Sequence, residues 1–250
     1  MGVLFFNEPF DAGVFAPTQL ANCVLWLRSD LGITLNSGNV SAWADQTSNH
    51  NDVTQGSAAA QPAYQATGGP NSLPSILFNP ANSQCLTNFS VNPLSGGTLM
   101  TLYIVLQSAV TTTAAPIVAI IVGGPSAGAH AGFGTSIGSS ATTHRDFVLE
   151  GVGTDGDGNC TLSWEFWTQE NASGPLQTMR VNGVGQTLSV NNRVATAPVA
   201  GLAVGAQIDT GPVVSHFWNG SVAEVILYSS AQSASDVTTV ENYLHARYGL

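Results

Sequence analysis

The chain of 250 residues is long enough for one large β-domain with a filled core, so a second globular domain is not required. Charged side chains make up only 8% of it, against about 25% in an ordinary globular protein. The net charge is −10, lysine is absent, and the five cations (Arg28, Arg145, Arg180, Arg193 and Arg247) are scattered, which excludes a nucleic-acid backbone as ligand because that needs clustered cations.

The first residues differ from the rest. Phe5, Phe6, Phe10 and Phe15 crowd a stretch interrupted by Pro9 and ended by Pro17. Apolar rings at this density need cover, either from the chain's own sheet or from a neighbouring subunit. Residues 1–18 therefore read as an arm, with assembly of copies as one of its two uses. Met1 to Glu8 has no basic start, and Glu8 and Pro9 cut the apolar run, so a secretion signal is not expected and folding in a reducing cytoplasm is. The run Ile117 to Val122 is too short to cross a bilayer, so no membrane partner is expected. Cys23, Cys85 and Cys160 form no CxxC pair and cannot all pair within one chain, so free thiols are expected.

From residue 19 to 250, short β-rich runs alternate with turn clusters, the pattern of a sandwich. Strands are predicted over Cys23–Arg28, Ser75–Phe78, Leu99–Gln107, Ile117–Val122, Phe147–Glu150, Cys160–Thr168, Leu176–Val181 and Ser221–Tyr228. Asn182-Gly183 predicts a tight hairpin, because both positions tolerate positive φ. Pro125 to Thr143 reads as loop with room for one strand. Between Asp52 and His144 no side chain is charged, and such a surface suits close association because burying it strips no ions of water. The chain closes with a helix. Ser233 and Asp236 have capping-box spacing, Val237, Val240, Tyr243, Leu244 and Tyr248 share one face, and Gly249 stops it.

Candidate chemistry is sparse. Asp155-Gly-Asp157-Gly-Asn159 offers alternating oxygens in a glycine-rich turn that could wrap a hard cation such as calcium; the plain alternative is a solvated turn between strands. No other cofactor is implied. Trp43 beside Asp45, and Trp218 beside Asn219, are candidates for stacking on the apolar face of a sugar, with core packing as the alternative. A glycosidase needs two carboxylates flanking one bond, and the nearest pair is Glu165 and Glu170. Their odd separation sends them to opposite faces of a regular strand, so no catalytic residue is assigned. No Gly-x-Ser-x-Gly elbow or zinc-helix histidine pair occurs either.

Several segments together resemble the laminin-G-like jelly-roll domains of the concanavalin A-like lectin/glucanase superfamily. They are Leu25-Trp-Leu-Arg-Ser-Asp-Leu-Gly32, Val40-Ser-Ala-Trp-Ala-Asp-Gln46, Asn49-His-Asn-Asp-Val-Thr-Gln55, Pro62-Ala-Tyr64, Pro70-Asn-Ser-Leu-Pro-Ser-Ile-Leu-Phe78, Gly220-Ser-Val-Ala-Glu-Val-Ile-Leu-Tyr228 and Glu241-Asn-Tyr-Leu-His-Ala-Arg-Tyr-Gly-Leu250. The resemblance runs from about residue 20 to the end and implies an all-β, antiparallel jelly-roll β-sandwich with a short C-terminal helix. Domains similar to this one occur as sugar-binding modules, adhesins, hydrolase appendages and bacteriophage virion proteins, and a shared fold does not choose among them. The expectation carried forward is a non-enzymatic structural virion protein, a capsid-decoration or tail component. It would associate as a homo-oligomer, a trimer by analogy with virion jelly rolls, and pack against neighbouring virion proteins. The alternative is a lectin-like adhesion module for host-surface glycans; a glycoside hydrolase ranks third.

Overall fold

The computed structural model describes residues 15–111, 117–124, 133–137, 144–149, 152–159, 161–172, 176–188, 199–209 and 212–250. Period-two alternation along Met100–Ser108 sends Met100, Leu102, Ile104 and Leu106 to one face and Tyr103 and Val105 to the other. Both faces are buried, so this strand runs through the middle of the molecule.

The strands are β1 (Cys23–Arg28), β2 (Ile33–Asn36), β3 (Asn39–Trp43), β4 (Val53–Thr54), β5 (Ala63–Gln65), β6 (Ser75–Phe78), β7 (Leu86–Asn88) and β8 (Met100–Ser108). They continue with β9 (Ile117–Gly124), β10 (Phe133–Ile137), β11 (His144–Leu149), β12 (Val152–Asn159), β13 (Glu165–Ala172), β14 (Leu176–Val181) and β15 (Val184–Gly185). The last are β16 (Val199–Val204), β17 (Gln207–Ile208), β18 (Val214–Ser215) and β19 (Gly220–Tyr228), before helix α1 (Ala234–Tyr248). Among the described residues, every pairing between these strands is antiparallel.

The protein is an antiparallel all-β sandwich with one C-terminal helix. One layer runs β15-β14-β13-β8-β19-β1 and the other β12-β11-β10-β9-β16-β7-β4-β3-β2. At one corner β6 pairs with β19 and β5 with both β6 and β3, joining the layers without a break in the ladder. Between them lies the main core, which includes Leu25, Leu27, Trp43, Phe78, Trp167 and Leu227.

Each layer also has an outer apolar face, and each is covered. Helix α1 lies over Trp26, Tyr103, Val105, Phe166, Ile226 and Tyr228 and buries Val240, Tyr243, Leu244 and Tyr248 there. Full burial of an apolar side chain of this size contributes roughly 1.5–3 kcal/mol. On the opposite side, the β17–β18 hairpin covers Val118, Ile121 and Ala203. Among the described residues, no helix is long and apolar enough to cross a membrane.

Several predicted elements stand where the residues placed them. β1, β6 and β14 have the predicted limits, and α1 starts at the Ser233 cap and ends at Gly249, whose φ is 67°. Asn182 and Gly183 take φ of 47° and 75° and turn β14 into β15. Other segments differ, among them two with a plain cause. The predicted strand over Cys160–Thr168 begins only at Glu165, because Thr161 to Ser163 stand exposed ahead of it. Residues 152–159, read as containing a turn, are strand β12 paired with β11.

Candidate functional site

The apolar lining between the layers gives way to polar groups beneath β13. Regular alternation along this strand turns Glu165, Trp167, Gln169 and Asn171 to the inside, and all four are buried. On the neighbouring β14, Gln177 is buried too, and its side-chain amide donates to the Asn171 side-chain oxygen at 2.8 Å. Asn171 donates in turn to the Thr98 carbonyl at 2.6 Å. From the facing strands come Thr135, whose hydroxyl donates to Gln169 Oε1 at 2.6 Å, and Arg145.

Arg145 grips Glu165 with both arms of its guanidinium, Nε at 2.9 Å and Nη2 at 2.5 Å. The Trp167 indole donates to the same carboxylate at 2.7 Å and the Thr161 hydroxyl at 2.8 Å. The guanidinium carbon also lies 5.8 Å from the Trp167 ring centroid, within cation–π reach. Taking two charges out of water is costly unless the pair is well matched and its remaining lone pairs are satisfied. Both conditions hold here. At the solvent end of this row, Thr161 and Leu162 are exposed, and Gln107 Nε2 donates to the Leu162 carbonyl at 2.7 Å. The arrangement combines a carboxylate, a guanidinium, an indole and three amides, with the exposed residue Thr161 at its rim. These are the donor and acceptor types that bind polyhydroxylated ligands.

A second polar cluster lies on the outer face. A bulge in β19 adds Ala223 between the pairings Val222↔Leu106 and Glu224↔Val105, which turns Glu224 towards α1 instead of the main core. Its carboxylate accepts from Trp26 Nε1 at 2.6 Å, Tyr243 Oη at 2.8 Å and Tyr248 Oη at 2.8 Å. Arg247 Nε stands 3.7 Å away as an ion pair without a hydrogen bond, while Nη2 of the same residue donates to Asp30 at 2.6 Å. Burial pushes the Glu224 carboxyl up, against the pull of Arg247 and the three donors. Arg180 and Thr168 both bind Glu241, fastening the other side of the helix to β13 and β14. These groups hold the helix down.

The residues singled out from sequence fall in different places. Trp43 is 0% exposed and donates from Nε1 to the Arg28 carbonyl at 3.0 Å; Trp218 is also 0% exposed. Neither ring can stack on a sugar, because core side chains already cover it. Asn219 is half-buried, and its carbonyl accepts from the Ala109 N–H at 2.9 Å. Asp45 explains the polar residues beside Trp43. Its carboxylate accepts from the N–H groups of Trp26, Thr47 and Asn51 and from the Thr47 hydroxyl, which locks a loop. Phe15 packs edge-on to Tyr243 with centroids 5.8 Å apart, so the chain's own helix covers it; Phe5, Phe6 and Phe10 lie outside the described residues. Asp155, Asp157 and Asn159 sit on a strand, not in a turn, and their side chains lie outside the described residues. Glu165 faces the inside, while Glu170 lies on the opposite face within 3.4 Å of the Thr101 hydroxyl, so the two do not flank a common space. Cys23 and Cys85 are free, with burial pushing their thiols up to about 12 and about 11; Cys160 lies outside the described residues.

No family model matches the sequence, and no curated protein matches it. Solved structures do match, and what they share with this chain is the β-sandwich fold. One is a Trypanosoma rangeli sialidase in complex with the inhibitor DANA, at TM-score 0.59 and 14% identity over 91% of this chain and 34% of that one. Another is domain 4 of AbnA, a GH43 extracellular arabinanase from Geobacillus stearothermophilus, in complex with arabinotriose. It matches at TM-score 0.56 and 16% identity over 88% of this chain and 98% of that one. A GH54 α-L-arabinofuranosidase soaked with a cyclic sulfate inhibitor matches at TM-score 0.60 and 13% identity, over 90% and 63% of the two chains. The chain spans about a third of the length of the sialidases. At these identities the likeness is one of fold. It nonetheless overturns two expectations: the structures that share this sandwich come from glycoside hydrolases, which removes the ground for a bacteriophage structural role and for ruling out an enzymatic one.

Proposed function

We propose that this chain is a glycan-binding sandwich of a carbohydrate-active protein, with a concanavalin A-like fold, and that it holds its ligand at the Thr161–Glu165 end of the polar row under β13. The observation that carries this reading is the match to domain 4 of the arabinanase. There a sandwich matched over 98% of its length is a separate domain crystallised with an oligosaccharide. The buried row supports it chemically. Amide, carboxylate and guanidinium groups held rigidly by one another can read hydroxyl positions without first losing side-chain entropy.

The test is titration calorimetry with neutral and acidic oligosaccharides, followed by assay of the same mixtures for released reducing ends. Heat of binding that shrinks in Thr161→Ala, while the fold persists by circular dichroism, supports the site. Sugar release from the bound glycan would make the sandwich itself the hydrolase; an intact bound glycan would make it the binding part. Absence of binding to every oligosaccharide overturns the reading.

A further inference from the structure

We infer that the glycan this chain recognises is neutral, because the chain's own carboxylates already neutralise its described cations. The inference rests on the glycan-binding reading and names its ligand class.

Lysine is absent and the arginines number five. Arg193 lies outside the described residues, and each of the other four is engaged. Arg28 Nε meets Asp30 at 2.7 Å, and Arg247 Nη2 meets the other oxygen of Asp30 at 2.6 Å. Arg180 forks onto both oxygens of Glu241, at 2.8 and 3.0 Å. Arg145 forks onto Glu165 inside the proposed site itself.

An acidic sugar is held when its carboxylate or sulfate meets a guanidinium or ammonium group able to face it. For Arg145 to do so it would have to leave Glu165. A buried carboxylate would then stand without its cation, which is strongly unfavourable. The long-range field opposes an anion as well, since the formal net charge is −10 and few cations offset it locally. A neutral sugar needs none of this. Its hydroxyls both donate to and accept from neutral amide and hydroxyl groups, and no ion pair has to open to receive them. Sialic acid and its analogues, bound by the sialidases that share the fold, carry the charge this chain has no free partner for among its described residues; arabinotriose carries none.

The experiment is an array of matched neutral and acidic oligosaccharides, including lactose with sialyllactose and arabinotriose with oligogalacturonate. It is run above the histidine range, about pH 6.5. Calorimetry of the hits follows at about 0.01 M and about 1 M salt, between which the Debye length falls from about 30 Å to about 3 Å. The expected result is binding of neutral members with an affinity that changes less than about twofold with salt, and no preference for any acidic member over its neutral counterpart. An acidic glycan bound where its neutral counterpart is not, and weakened about tenfold or more by salt, overturns the inference and leaves glycan binding standing. An array with no hit overturns both.

Discussion

The indole N–H of Trp26 and the carboxylate of Glu224 meet at 2.6 Å across 198 positions of sequence. Their contact lies beneath the C-terminal helix, where the hydroxyls of Tyr243 and Tyr248 reach the same carboxylate. One acidic side chain thereby ties the first strand, the last strand and the helix together. The position exists because Ala223 bulges out of β19 and re-aims the residue after it.

Glu224→Ala strands three donors and the Arg247 guanidinium in a dry interface, and removal of one partner from such a cluster costs about 3–5 kcal/mol. Urea unfolding should show that loss. Amide exchange should show α1 opening ahead of the sheet. Glu224→Gln keeps an acceptor and the packing, and should cost distinctly less. Equal losses in the two variants would mean that the cluster needs the carboxylate's charge, and that neither the side chain's volume nor a neutral acceptor replaces it.

Stability should depend on acid pH through two carboxylates of opposite sign. For Asp30 burial pushes the carboxyl up, but the guanidinium groups of Arg247 and Arg28 outweigh it and the net direction is down. Its contribution is present above the unfolded value, about 3.9, and is lost as pH falls through the lower folded value. For Glu224 the net direction is up, so its contribution is fully present below the unfolded value, about 4.3, and is lost as pH rises through the folded one. Melting curves across acid pH should therefore lose their lowest-pH drop in Asp30→Asn. In Glu224→Gln they should lose the gain seen on acidifying towards the unfolded glutamate value.

Arg145 and Glu165 should behave as one unit. Either Arg145→Met or Glu165→Leu alone leaves an unpaired buried charge and should cost about 3–5 kcal/mol, a drop in Tm of roughly 6–20 °C in a domain of this size. The double variant should recover most of that loss. Additive losses in a double-mutant cycle would show that the two side chains do not stabilise each other.

Trp43 and Trp218 give a contrast between two equally buried indoles. Trp43→Phe breaks the bond to the Arg28 carbonyl, which keeps the Leu31 N–H, and should cost about 0.5–1.5 kcal/mol beyond the change in packing. Trp218 Nε1 has no hydrogen-bond partner, so Trp218→Phe should add no such penalty. Denaturant titration of the two variants checks the difference, and neither substitution should alter glycan affinity while the fold holds.

Much of the sandwich was legible along the chain because strand limits and the helix cap are local. Ser233 accepts from the Asp236 N–H at 3.2 Å, and the Asn182-Gly183 turn needs only two residues that accept positive φ. The site was not legible for the opposite reason. Arg145 and Glu165 lie on strands with no direct pairing, and neither residue has a local signature. One signal was present: Glu224 is the lone acid in an apolar run, and a charge there predicts partners brought from elsewhere.

Composition, alternation and caps by themselves determined an all-β chain with a terminal helix, since each depends on neighbours a few positions apart. The tertiary structure alone decided which polar groups meet. It closed the core over Trp43 and Trp218, where the sequence suggested sugar platforms, and it paired each described arginine with a distant or local carboxylate. The physical reason is burial. Whether an indole stacks on a ligand or fills a core, and whether a guanidinium is open or spent, depends on what the rest of the chain lays over it.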